Sequence, residues 1–110
     1  DTYDAYTKKA LEYITANYSY PITVEEIANY VGISRSHLFR AFQSILSVSP
    51  KEYLSDFRIR QACVLLKSSD LSVMAIARSV GFENNLYFSK AFRKIKGMTP
   101  SEYKEHVEQK

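Results

Sequence analysis

Two stretches of the 110-residue chain carry basic and amide side chains with no acid among them. Ala28 to Lys51 holds Arg35, Arg40 and Lys51, and Asn84 to Ser101 holds Lys90, Arg93, Lys94 and Lys96. A net charge of only +3, from 15 basic and 12 acidic residues, conceals this distribution. The chemistry on offer is polyanion binding: clustered cations neutralise phosphates, and a guanidinium fork or carboxamide can pair two atoms of a base edge at once. One such run alone would more simply be a solvated helix face. Other chemistries lack their residues. There is no glycine-rich phosphate loop, nucleophile elbow or zinc-ligand run, and Glu25 and Glu26 sit where helix capping accounts for them. Cys63 alone cannot close an internal disulfide, and His37 and His106 do not complete a structural zinc site with it unless carboxylates help. The expectation is a non-enzyme with no metal or cofactor.

The cations must be positioned by helices. Hydrophobic residues at 45% and charged residues at 25% fit a globular domain rather than a disordered chain. The longest apolar run, Ala62 to Leu66, is far short of the roughly 20 residues that cross a bilayer, and no signal segment opens the chain. A cytoplasmic protein without a membrane partner is expected. No long stretch alternates apolar and polar residues, and only three glycines and three prolines interrupt the chain, so the fold class is all-α. Thr23 with Glu26, Ser49 with Glu52 and Thr99 with Glu102 have capping-box spacing, and Pro50 and Pro100 fall at first helical positions. Seven helices are predicted, at about 3–18, 24–31, 35–46, 50–68, 73–80, 85–96 and 100–107.

Self-similarity organises them. Ile22 to Ile33 aligns with Leu71 to Phe82, Leu38-Phe39-Arg40-Ala41-Phe42 with Phe88-Ser89-Lys90-Ala91-Phe92, and Ser49-Pro50-Lys51-Glu52-Tyr53 with Thr99-Pro100-Ser101-Glu102-Tyr103. One extra residue follows the glycine of the second copy. The unit present twice is a short helix, a turn at Gly32 or Gly81, and a longer helix, which is the layout of a helix-turn-helix. The first unit should occupy about 3–48, a linker helix about 50–68, and the second unit about 71–107. Ile27, Val31, Ile33, Leu38, Phe42 and Ile45 are expected in the first core, and Ile76, Val80, Phe82, Phe88, Phe92 and Ile95 in the second. Ala28 and Ala77 let the helices of each unit cross closely. Cys63, Val64 and Met74 are read as filler, and the nine tyrosines and six phenylalanines as packing rather than base stacking. A linker of about nineteen residues spans roughly 28 Å. With the width of the units added, that length suits two second helices held about 34 Å apart, one turn of B-DNA, so that both enter successive major grooves.

With Leu38, Phe42 and Ile45 inward, the opposite stripe carries Ser36, Phe39, Arg40 and Gln43. Arg40 suits guanine O6 and N7, Ser36 a base or phosphate, and Arg35 either. Gln43 lies farther back, toward phosphate. Phe39 either touches a thymine methyl or packs beside the core. In the second copy Asn85, Leu86, Ser89 and Lys90 face outward, Asn85 toward adenine, Leu86 toward a thymine methyl and Lys90 toward guanine. Asn84, Arg93, Lys94 and Lys96 are the phosphate candidates. His37 is another, although a structural role is slightly favoured for it.

Ile27-Ala28 through Gly32 to Leu38-Phe39-Arg40-Ala41-Phe42, followed by Ile76-Ala77-Arg78-Ser79-Val80-Gly81-Phe82, Tyr87-Phe88-Ser89-Lys90-Ala91-Phe92 and Gly97-Met98-Thr99-Pro100-Ser101-Glu102-Tyr103, resembles the DNA-binding domain of AraC/XylS-type bacterial transcription regulators. The resemblance covers nearly the whole chain and is more specific in its second half. It implies sequence-specific binding of double-stranded DNA through two recognition helices, with Ser36, Phe39 and Arg40 at base-reading positions. Phe39 departs from the polar residue frequent there. Lys90 replaces a frequent arginine, so the second unit is expected to discriminate bases less sharply. The resemblance further implies activation as the usual sense, RNA polymerase as a partner of the full regulator, and a separate domain for ligand sensing or dimerisation. On that reading, a chain beginning at Asp1 is an excised, monomeric DNA-binding fragment. The rival reading, a helical protein-interaction module, predicts apolar second-helix surfaces, where only Phe39 and Leu86 qualify. RNA is disfavoured because the A-form major groove is too narrow for a helix.

Overall fold

Among the described residues, six helices begin at a side chain able to satisfy their first backbone N–H groups. The computed structural model describes residues 2–108, and among them there are seven helices and no strand: α1 (Thr2–Asn17), α2 (Val24–Val31), α3 (Arg35–Leu46), α4 (Pro50–Ser68), α5 (Val73–Ser79), α6 (Asn85–Lys96) and α7 (Pro100–Glu108). The capping boxes at α4 and α7 are reciprocal. Ser49 Oγ accepts from Glu52 N at 3.1 Å while Glu52 Oε1 accepts from Ser49 N at 3.1 Å, and Thr99 and Glu102 repeat the exchange at 3.1 and 2.8 Å. At α2, Thr23 Oγ1 accepts from Glu26 N at 3.1 Å, but the Glu26 carboxylate takes the Thr23 hydroxyl. Ser34, Ser72 and Asn84 cap α3, α5 and α6. They lack a partner acid three residues on, which is why capping-box spacing does not find them.

The two copies turn alike. Gly32 has φ +90° and Ile33 N donates to Ala28 O at 3.1 Å; Gly81 has φ +102° and Phe82 N donates to Ala77 O at 2.9 Å. Both glycines thus close a six-residue Schellman-type ring in a conformation that costs an L side chain about 1–2 kcal/mol. The extra residue of the second copy is Glu83, which lies between Phe82 and the cap Asn84 and whose charge acts on Arg58. Burial pulls the Arg58 guanidinium below its ordinary value while Glu83 opposes this, and the guanidinium sits 5.9 Å from the Phe82 ring centre.

Two compact units meet at Leu54 and Ser55, inside α4. In the first, α1 packs on both α2 and α3, burying Ala10, Ile14, Ile27, Ala28, Val31, Leu38, Ala41 and Phe42. The Phe42 ring meets Tyr53 edge-on at 6.0 Å. In the second, α6 packs on α5 and α7 around Ile76, Ala77, Val80, Phe88 and Phe92, joined by Ile59, Ala62 and Leu66 of α4. A run of rings crosses this core: Phe82 to Phe88 at 5.2 Å, Phe88 to Phe92 at 5.8 Å, and Phe92 to Tyr103 at 5.5 Å. Burial, with the neighbouring Cys63, raises the Tyr103 phenol above its ordinary value.

Several core assignments are corrected. Ile45 and Ile95 are exposed because the buried stripe of each second helix ends earlier, at Phe42 and Phe92. Val64 is exposed, since it lies about 200° round the helix from the buried Ala62 and Leu66. Met74, two residues before Ile76, is turned outward for the same reason, while Ile33, Phe82 and Cys63 are half-buried. Tyr20, Tyr30 and Tyr87 are exposed, so the tyrosines are not all core, although the Tyr30 ring still lies 4.8 Å from that of Tyr13. Thr7 enters the first core unforeseen, and among the described residues its hydroxyl has no hydrogen-bond partner.

Candidate nucleic-acid interface

The inward stripe of α3 fixes what its other face presents. With Leu38, Ala41 and Phe42 buried, Arg35, Ser36, Phe39, Arg40 and Gln43 are all exposed. Arg35, Ser36, Phe39 and Arg40 line one open cleft of about 670 Å³, closed by Val24 at the start of α2 and by Ser49, Pro50 and Lys51 at the start of α4. Three cations therefore ring a floor of phenylalanine, valine and proline carbons. Lys51 belongs to this group, yet helix periodicity on α3 alone cannot find it. Its signal in the sequence is membership of the same acid-free run. Phe39 is 47% exposed and forms a wall of the cleft, so it does not pack beside the core.

His37 faces elsewhere. Its ring is half-buried and meets Tyr3 and Tyr6 of α1 edge-on at 5.8 and 5.1 Å, while its backbone N–H donates to Ser34 Oγ. Holding α1 on α3 accounts for the imidazole without a phosphate.

On α6, Asn85, Leu86 and Lys90 are exposed and Ser89 is half-buried. Asn84 Oδ1 accepts from Leu86 N at 2.7 Å and Tyr87 N at 3.3 Å, so its carboxamide oxygen serves the cap and Nδ2 is what its side chain has left to donate. Tyr87 was not singled out by sequence, because an aromatic at helical spacing reads as core. It is 67% exposed at the first turn of α6, beside Leu86 at 62%. The position equivalent to Tyr87 in the first copy is His37, which α1 covers. Arg93, Lys94 and Lys96 are exposed in the last turn of α6, where they also oppose the negative end of the helix dipole. Lys96 Nζ lies 5.7 Å from the Tyr103 ring centre.

The charge is thus distributed differently in the copies. The first places arginines at the start and middle of its second helix, with Gln43, Ser44 and Leu46 where the second has Arg93, Lys94 and Lys96. Chemically, the first face can hydrogen-bond base edges with rigid forks, and the second can neutralise several phosphates with mobile cations. Among the described residues no group of His, Cys, Asp and Glu could hold a metal ion, and no helix is long and apolar enough to cross a membrane.

Residues 27–106 match the family described as "Helix-turn-helix domain". The chain is 42% identical over 97 residues to the lactose operon transcription activator of Staphylococcus xylosus, covering 88% of this chain and 35% of that protein. It is 35% identical over 98 residues to the raffinose operon transcriptional regulatory protein RafR of Pediococcus pentosaceus, covering 89% and 35%. The chain therefore spans about a third of the length of these curated relatives. Among solved structures, an AraC-type DNA-binding domain protein from Chromobacterium violaceum is similar at TM-score 0.86 and 31% identity, covering 94% of this chain and 93% of that one. The DNA-binding domain of AdpA, solved in complex with a target DNA, is similar at TM-score 0.89 and 26% identity, covering 94% and 93%.

Proposed function

The chain belongs to the AraC-type helix-turn-helix family of transcription regulators, and from that premise we propose that it binds specific double-stranded DNA by placing α3 and α6 in successive major grooves. The observation that carries this reading is the convergence of Arg35, Ser36, Phe39, Arg40 and Lys51 on one exposed cleft. A major groove admits a helix, and each base pair presents there a distinct set of donors, acceptors and methyl groups. Arg40 pairs guanine O6 and N7, and Ser36 and Arg35 bond a neighbouring base or phosphate. Asn85, Leu86, Ser89 and Lys90 read the second groove. Lys51, Gln43, Arg93, Lys94, Lys96 and the Nδ2 of Asn84 hold the backbone and set the register. Tyr87, exposed in the first turn of α6, joins the phosphate contacts.

The DNA-bound AdpA domain and the named operon regulators support the reading. By the same analogy, the chain acts within a longer bacterial regulator, in the cytoplasm. There another domain supplies ligand sensing or dimerisation, RNA polymerase is the further partner, and the usual outcome is activation. The fragment itself binds as a monomer and performs no reaction.

Selection of duplexes from a random pool, followed by footprinting on the winner, tests the proposal. Enrichment of one motif with protection in two neighbouring major grooves is the expected result. Recovery of unrelated sequences with equal affinity, or protection of a single groove, would overturn it.

A further inference from the structure

Phe39 is an unusual wall for a cationic cleft. Its ring is 47% exposed in a face otherwise made of Arg35, Ser36, Arg40 and Lys51, with Val24 and Pro50 as the other carbon surfaces. Nearly half of this aromatic side chain is in water, and covering it with an apolar partner would be favourable. The phenyl ring makes no conventional hydrogen bond, so the polar atoms of a base edge offer it little. In a B-form major groove the one methyl group on a base edge is the thymine C5 methyl. Arg40, the next residue on the same helix and a wall of the same cleft, is suited to guanine O6 and N7.

We propose that Phe39 is a specificity-determining residue that packs on a thymine C5 methyl, so that the first unit reads a thymine close to the guanine paired by Arg40. This rests on the reading of the chain as a sequence-specific DNA binder. It also makes the contact indifferent to the rest of the pyrimidine edge: 5-methylcytosine offers the same methyl, whereas uracil offers none.

The test uses the whole chain and the duplex recovered by selection. Each thymine is replaced singly by deoxyuridine, and binding is measured at one salt concentration for the wild type, Phe39→Ala and Phe39→Leu. Circular dichroism of each variant checks the helical content. Burial of one methyl group corresponds to about a fourfold change in affinity. The expected result is one thymine whose conversion to uracil weakens the wild type about fourfold, leaves Phe39→Ala unchanged, and weakens Phe39→Leu to an intermediate degree. Cytosine at that position, paired with guanine, should bind better when methylated at C5, again for the wild type and less so for Phe39→Leu, but not for Phe39→Ala. Uracil losses that are the same in the wild type and Phe39→Ala at every position would overturn the inference while leaving specific binding intact. Failure to enrich any duplex is a different result: it defeats the DNA-reading proposal and this inference with it.

Discussion

On the proposed reading, Arg40 and Lys94 make two kinds of contact that one substitution each can separate. Arg40 lines the first cleft at mid-helix, whereas Lys94 stands among the exposed cations at the end of α6. Arg40→Ala should lose about 1–3 kcal/mol on the cognate duplex and relax preference at one base pair, while Lys94→Ala should weaken cognate and random duplexes alike and flatten the salt dependence. Titrations of both variants on both duplexes, at several salt concentrations, check this division. A second prediction concerns stability. Thr7 is 2% exposed and among the described residues its hydroxyl lacks a partner, so the same shape without the hydroxyl should be better tolerated. Thr7→Val should stabilise the protein by about 1 kcal/mol, read as a higher midpoint in urea. At this scale the sequence was only partly legible. Arg40 and Lys90 follow from helix periodicity because their neighbours Phe42 and Phe92 are strongly apolar. Lys51 and Tyr87 do not: the first joins the cleft through tertiary folding, and the second is an aromatic left uncovered.

Helix ends carry the signals that made the elements readable. The seven predicted spans fall within a residue of those observed, because Pro50, Pro100, Gly32, Gly81 and the three acid-paired caps punctuate the chain. Equivalent helix ends nevertheless differ in quality. α6 stops at Gly97 with φ +77°, whereas α3 stops at Ser47 with φ 60° in the same left-handed region. Ser47→Gly should relieve that strain, less the greater chain entropy of glycine, for a net gain of about 0.5 kcal/mol. The reverse change, Gly97→Ser, should be destabilising, and thermal unfolding of the pair checks both signs. The cap of α7 adds a pH dependence. The Thr99 backbone N–H, then its hydroxyl, holds the Glu102 carboxyl below its ordinary value. A carboxyl so lowered stabilises the fold fully above the ordinary carboxylate range. That contribution fades as the pH falls through the range toward the lowered value. Glu102→Gln should therefore be slightly less stable than the wild type at neutral pH and converge with it as the pH falls below the ordinary carboxylate range, which flattens the acid side of the profile.

For the molecule as a whole, affinity should be divided unevenly between units that share a layout. If Lys51, Arg93, Lys94 and Lys96 each neutralise one phosphate, the logarithm of the binding constant should fall against that of salt with a slope of about −4. Three of those four cations are in the second unit. Base changes under the first unit should accordingly be discriminated more strongly than those under the second, where Lys90 replaces a rigid fork. Repetition made the two-unit plan legible from sequence, since matching glycines, aromatics and threonine- or serine-proline steps recur in order. The position of the division was not legible, because the helical pattern of α4 runs unbroken through Leu54 and Ser55.

The placement of Glu83 bears on how such a chain changes over time. The surplus residue is taken up ahead of the Asn84 cap, so α3 and α6 keep the same length of twelve residues and correspond position for position. Side chains can therefore be exchanged between the copies without re-registering either core. Two copies held in the same register leave each free to acquire its own dialect while its scaffold stays unaltered.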